Sequence, residues 1–167
     1  MSILSVRIYP DPVLRLKSQP VTEFSKEFRA FTKNLIETMY AHKGCVGISA
    51  PQIGVLQRVL VVDVSNNRRT AVHNGLIVLV NPVIFCKERT IVSREGCLSI
   101  PDHTGNVNRF ERVVVEGQDI YGRPVTVQTG GFEAIAFQHE IDHLDGILFI
   151  DRVMSKKDIF RRKKRAR

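Results

Sequence analysis

The chain has 167 residues, 43% of them hydrophobic and 25% charged, with a formal net charge of +8. That length suits one domain with a real core, and no apolar run approaches the roughly 20 residues that a membrane-spanning helix needs. Three cysteines give no even disulfide framework, and the opening Met1-Ser2-Ile3-Leu4-Ser5-Val6-Arg7 lacks a basic region followed by an apolar stretch, so a reducing compartment is expected.

Residues 25–42 read as a helix, because Phe28, Phe31, Leu35 and Met39 fall along one stripe, and Gly44 can end it. The next segment is Gly44-Cys45-Val46-Gly47-Ile48-Ser49-Ala50-Pro51-Gln52. It reads as a helix-to-strand turn whose small residues let a ligand lie close to the main chain. The Gln52 amide can donate to a developing negative charge. Residues 58–64 and 76–80 read as strands, with residues 66–75 as the exposed loop between them. The apolar run Val83-Ile84-Phe85-Cys86 predicts a core position for Cys86, so that Cys86→Ser is expected to act mainly on stability.

Glu95-Gly96-Cys97-Leu98-Ser99 is polar and turn-like. Cys97 there is open to two readings, a thiolate metal ligand or a small buried hydrophobe. Residues 101–108 read as a loop, which an ion pair between Glu95 and Arg109 can anchor. Residues 112–116 and 125–128 read as a strand pair joined through Tyr121-Gly122-Arg123-Pro124, and Gly130-Gly131 breaks the chain before a last helix. The elements add up to an α+β fold: mixed, largely antiparallel sheets packed around a central helix.

That helix carries the strongest signal, Gln138-His139-Glu140-Ile141-Asp142-His143-Leu144-Asp145-Gly146. Positions i and i+4 stack on one helix face, so His139 and His143 can grip one divalent ion. Glu140, beside the first ligand, can then take a proton from water. Only 5 residues of the chain are His, which makes a chance HExxH uncommon. The third ligand is not given by the motif. Phe149 occupies the position where a longer HExxH pattern would place a third His. Asp145 is too close to fold back easily, and Asp151 and Asp158 flank or enter a basic tail. Upstream, Cys97 is the leading candidate and His103 the rival, whereas His42 and His73 read as solvated. Ile135 and Phe132 lie one and two turns before His139. With Val46 and Leu98 they can line an apolar pocket or simply fill the core.

Three segments together resemble the peptide deformylase family, whose signatures look like GxGxAAPQ, EGCLS and QHExDHLxG. Here they are Cys45 to Gln52, Glu95 to Ser99 and Gln138 to Gly146. The second and third match without departure. The first has Cys45 where Gly is usual and Ser49 where Ala is usual, so a reshaped pocket lip is expected. Residues 9–15 also resemble the family's N-terminal segment, and the loop at 101–108 lacks the basic residue that some members carry. The resemblance implies that Cys97, His139 and His143 hold one divalent metal ion, with Fe2+ first and Zn2+, Ni2+ or Co2+ as substitutes. It implies Glu140 as general base and acid. It assigns Gln52 and the backbone N–H of Leu98 to the oxyanion, and Val46, Gly47, Glu95, Gly96, Phe132 and Ile135 to substrate binding. The substrate implied is the N-formylmethionyl end of a nascent polypeptide, with formate released, in the cytoplasm or an organellar matrix. A monomer with no membrane contact is expected.

Charge is concentrated at one end. Residues 152–167 hold nine Lys or Arg and one acid, so residues 1–151 are neutral overall. The expected division is a catalytic domain over 1–151 and a basic tail over 152–167. The tail can be a solvated end or can contact ribosomal RNA, and deletion of 155–167 is expected to spare hydrolysis of short peptides. Other classes remain in view. A structural-metal RNA-binding module fits poorly with a neutral body, and an inactive relative fits poorly with an intact Cys97, His139, Glu140 and His143. A small peptidase is the nearest enzymatic alternative.

Overall fold

The computed structural model describes residues 2–68 and 70–163, so residues 164–167 of the basic tail lie outside the described residues. Helix α1 spans Lys26–Ala41. Its cap is Ser25, whose hydroxyl accepts from the Phe28 N–H at 3.1 Å, an arrangement worth about 1 kcal/mol. The buried face presents Phe28, Leu35 and Met39, which pack on Ile48, Val59 and Val61.

One six-stranded sheet follows among the described residues: β1 (Gly47–Ser49), β2 (Val59–Val62), β3 (Ile77–Cys97), β4 (Ile100–Gln118), β5 (Pro124–Gly130) and β6 (Ile159–Arg161). The order is β1-β2-β3-β4-β5, with β6 added to β4, and every named pair is antiparallel. The single sheet stands where several mixed ones were expected. The 112–116/125–128 pair is present, with Val114 opposite Gln128 and Glu116 opposite Thr126. The 76–80 strand begins at Ile77 but continues for 21 residues to Cys97. It survives Asn81-Pro82 through a register shift between Val80 and Val83, the kind of bulge that lets a strand absorb residues unsuited to a ladder.

Two expectations are corrected here. Residues 101–108 are not a loop; they form the first part of β4, paired to β3 on one side and to β6 on the other. Cys86 is not in the core but exposed. It lies on the β3/β4 ribbon, where Val83 and Phe85 are also 64% and 72% exposed. The apolar run lies in the part of β3 that pairs with β4 and not with β2, so Cys86→Ser is now expected to change stability by no more than about 0.5 kcal/mol, which thermal melting of the two proteins checks.

Helix α2 spans Gly131–Leu144 and is buried on nearly every side. Phe137, Ile141 and Leu144 join Leu60, Val62, Leu79, Val113 and Val115 in one apolar cluster. Two of its buried polar side chains, Glu133 and Gln138, are bonded to the strands and loop around them. Glu133 accepts from the Asn74 backbone N–H at 2.8 Å and from Thr129 Oγ1 at 2.7 Å. Gln138 exchanges two hydrogen bonds with the Phe110 main chain, at 2.9 and 2.8 Å. The helix is thereby fixed in rotation against β4, which decides where His139, Glu140 and His143 point. No helix among the described residues is long and apolar enough to cross a membrane.

Candidate metal centre

The β3/β4 ribbon ends at Cys97 and turns back at Ile100, which places Cys97 directly over α2. The thiol of Cys97 and ring nitrogens of His139 and His143 all lie within 4.8 Å of one another. Cys97 Sγ is 3.3 Å from His143 Nε2. His103, the rival third ligand, lies outside this cluster, in register with Arg161 of β6. Asp145 instead pairs with Arg58 at 2.8 Å.

The electrostatics suit a cation among these groups. Burial pushes the Cys97 thiol up, yet His143 and His139 hold it well below its ordinary value. Burial lowers the His139 imidazolium, but Cys97 and Glu95 raise it well above its usual range. Glu140 is raised, chiefly by burial, against the lowering effect of His139 and His143. Two buried atoms here have no hydrogen-bond partner among the described residues, Glu140 Oε2 and His143 Nδ1. Such orphans are costly unless a ligand or water meets them. A thiolate and two imidazoles form a donor set for zinc or ferrous iron, and the residues present fit such an ion.

Beside the cluster lies a cavity of about 310 Å³ lined in part by Val46, Gly47, Gln52, Leu98, Phe132 and Ile135. Gly47 is required by close approach: a Cβ there would lie 2.8 Å from Glu140 Oε1. Gln52 is held by Ser49, whose N–H and hydroxyl donate to Gln52 Oε1 at 3.0 and 3.1 Å. That fixes the amide so that Nε2 faces Cys97 Sγ at 3.5 Å and Ser99 Oγ at 3.3 Å. Ser49, one of the two departures in the first motif, is therefore built into the site. Cys45, the other, lines the same cavity, and burial pushes its thiol up to about 12.

Glu95 touches the cavity wall, but its carboxylate is spent elsewhere. Arg109 grips both oxygens, at 2.6 and 2.9 Å, and His139 Nδ1 lies 2.8 Å from Oε2. Arg109 also donates to Asp142 Oδ2 at 2.6 Å, and Arg152 to Asp142 Oδ1 at 2.6 Å. The Glu95–Arg109 pair expected from sequence exists and is buried, at 5% and 3% side-chain exposure. Burial raises the Glu95 carboxyl, yet Arg109 and His139 bring it down to about 2. Asp142 and Gln138 were not singled out as site residues from sequence. Their signal was present, since both stand inside the His139–His143 segment, but nothing in the sequence ties them to Arg109 or Phe110.

Residues 3–158 match the polypeptide deformylase family. The chain belongs to that family. A peptide deformylase of Thermodesulfovibrio yellowstonii is 45% identical over 164 residues, covering 98% of this chain and 97% of the relative. One from Halothermothrix orenii is 48% identical over 154 residues, covering 92% and 96%. Among solved structures, the peptide deformylase of Thermotoga maritima superposes with a TM-score of 0.84 at 38% identity, covering 93% of this chain and all of the other. The chain is thus an enzyme of the peptide deformylase type, a hydrolase, and its curled antiparallel sheet with few helices is the architecture of these deformylase structures.

Proposed function

We propose that this enzyme removes the N-formyl group from the first methionine of nascent polypeptides and releases formate, using one divalent ion held by Cys97, His139 and His143. The observation that carries the reading is the convergence of those three ligand atoms within 4.8 Å beside the unpartnered carboxylate oxygen of Glu140. Three protein ligands leave a position open for water and substrate. Ferrous iron is the ion we assign first, and zinc, nickel or cobalt suit the same donors.

When bound, such an ion lowers the pKa of a water from about 16 to near 7 and polarises the formyl oxygen. Glu140 takes the proton of the attacking water as its oxygen bonds to the formyl carbon. The formyl oxygen then carries the negative charge, and Gln52 Nε2–H and the Leu98 backbone N–H donate to it. Losing one such donor costs about 3–4 kcal/mol. As the C–N bond breaks, Glu140 returns the proton to the departing amine. Glu95, accepting from His139 Nδ1–H, fixes the tautomer that leaves Nε2 free to ligate; its role is to position His139 and not to touch substrate. Val46, Phe132 and Ile135 receive the methionine side chain, and Gly47 and Gly96 keep the main chain close to the reacting atoms.

A single chain supplies every proposed group, which suits a monomer, and the proposed nascent-chain substrate would place the enzyme in the cytoplasm or an organellar matrix. The Lys and Arg residues from 156 onward suit the phosphates of ribosomal RNA. The direct test is formate release from formyl-Met peptides by protein purified anaerobically; metal-replete protein that releases none would sink the reading. Cys97→Ser should lose both metal and turnover, because a hydroxyl is a poor ligand for a soft or borderline ion. Metal content equal to wild type would reassign the third ligand.

A further inference from the structure

We infer that Arg162, carried to the cavity mouth by the C-terminal strand, is a specificity-determining residue that favours acidic side chains just after the formylmethionine. This rests on the deformylase reading and deepens it. Strand β6 pairs with β4 through Ile159–Gly105, Phe160–Thr104 and Arg161–His103. The Arg162 N–H then donates to the Asp102 carbonyl at 2.8 Å. The Arg162 side chain leaves this edge and lies across Gly96, where a Cβ would stand 2.0 Å from Nη2. Only a glycine at 96 admits the guanidinium in this position. Arg162 is thus part of the cavity wall that also holds Cys97, His139 and Glu140.

The mouth is positive and unbalanced. Lys43, Arg94 and Arg162 all line it. Its two acids are committed inward, Glu95 to Arg109 and His139, and Glu140 towards the ligand cluster. Arg94 is pinned: its guanidinium stacks on Phe160 at 3.7 Å and Nε donates to Asn106 Oδ1 at 2.7 Å. Arg162 differs, since its guanidinium has no hydrogen bond or ion pair among the described residues. A free planar fork beside a reaction site matches a carboxylate. With the methionine side chain among Val46, Phe132 and Ile135, the chain beyond it leaves past Gly96. An extended peptide advances about 3.3 Å per residue, so the first two side chains after methionine pass this cation. Residues 155–167 include β6 and Arg162, so the expectation that deleting them would spare peptide hydrolysis is withdrawn.

The test compares wild type, Arg162→Ala and Arg162→Lys on three amidated peptides, formyl-Met-Glu-Glu, formyl-Met-Ala-Ala and formyl-Met-Lys-Lys. Wild type should prefer them in that order. Arg162→Ala should lower kcat/KM for the Glu peptide about three- to tenfold, the scale of one partly exposed charge-assisted contact. The loss should fall mainly in KM and be larger on the Glu peptide than on the Ala peptide, and Arg162→Lys should restore most of the preference. An unchanged Glu-to-Lys ratio in active Arg162→Ala, or an equal loss on all three peptides, would overturn the role of Arg162. Metal-loaded wild type inactive on every peptide would overturn the deformylase reading itself.

Discussion

Glu140→Gln should keep its metal and lose nearly all turnover. The substitution preserves size and leaves Cys97, His139 and His143 in place, so metal content should match wild type. The amide cannot accept a proton from water, nor return one to the departing amine. Loss of a general acid–base group costs about 10²–10⁴-fold in rate, and here one carboxylate serves both steps. The structure sharpens this expectation. Glu140 Oε2 is buried without a partner, and Gly47 leaves the room in which the carboxylate sits. A carboxylate with one oxygen held so, and with its pKa raised chiefly by burial, is available as a base through that oxygen. Metal analysis beside formate release checks the pair of outcomes. Activity within tenfold of wild type would remove Glu140 from the proton transfers, and metal loss would recast it as a support for the ligands.

Two of the proposed ligands and the proposed base were legible in the sequence because their spacing is local. His139 and His143 share a helix face by the geometry of a single turn, and Glu140 follows from adjacency. The network that aims them was less legible. Glu95 and Arg109 were paired on proximity, but Arg109 to Asp142 spans 33 positions and Gln138 to Phe110 spans 28. Those contacts follow from the docking of α2 on β4, which no local pattern encodes. The long ribbon misled for a related reason. Alternation along β3 is broken at Asn81-Pro82 and along the exposed stretch after Val83, so the strand reads as fragments and Cys86 as core. The fragment 101–108 contains Pro101, Asp102, Gly105 and two Asn, turn chemistry by composition, yet pairing on both sides holds it extended. The tail was read by charge alone, which hid the three residues that form β6.

Arg109→Ala should destabilise the protein more than any exposed substitution and should disable the site without touching a ligand. Arg109 is 4% exposed and bridges two buried carboxylates, Glu95 and Asp142. Removing one member of a buried ion network leaves the others uncompensated, at a cost of about 3–5 kcal/mol. For a chain of this size that corresponds to a melting temperature lower by roughly 6–20 °C. Arg152 still reaches Asp142, which limits the loss on that side; Glu95 keeps only His139. The acid response follows from Glu95. Its carboxyl, raised by burial but brought down to about 2 by Arg109 and His139, stabilises the fold above its unfolded value near 4.5. That contribution is lost as pH falls from about 4.5 towards about 2. Without Arg109 the burial cost is met by His139 alone, so Glu95 should bind its proton at higher pH and acid unfolding should begin earlier. His139, no longer oriented by a fixed carboxylate, should hold metal less tightly, by about 10–100-fold for a lost partner of a ligand. Thermal melts from pH 7 to pH 3, with metal titration of the variant, measure all three effects. A melting temperature within 2 °C of wild type at pH 7, roughly 1 kcal/mol at this chain length, would show that the Glu95–Arg109–Asp142 network does not hold α2 and the β3/β4 turn in register.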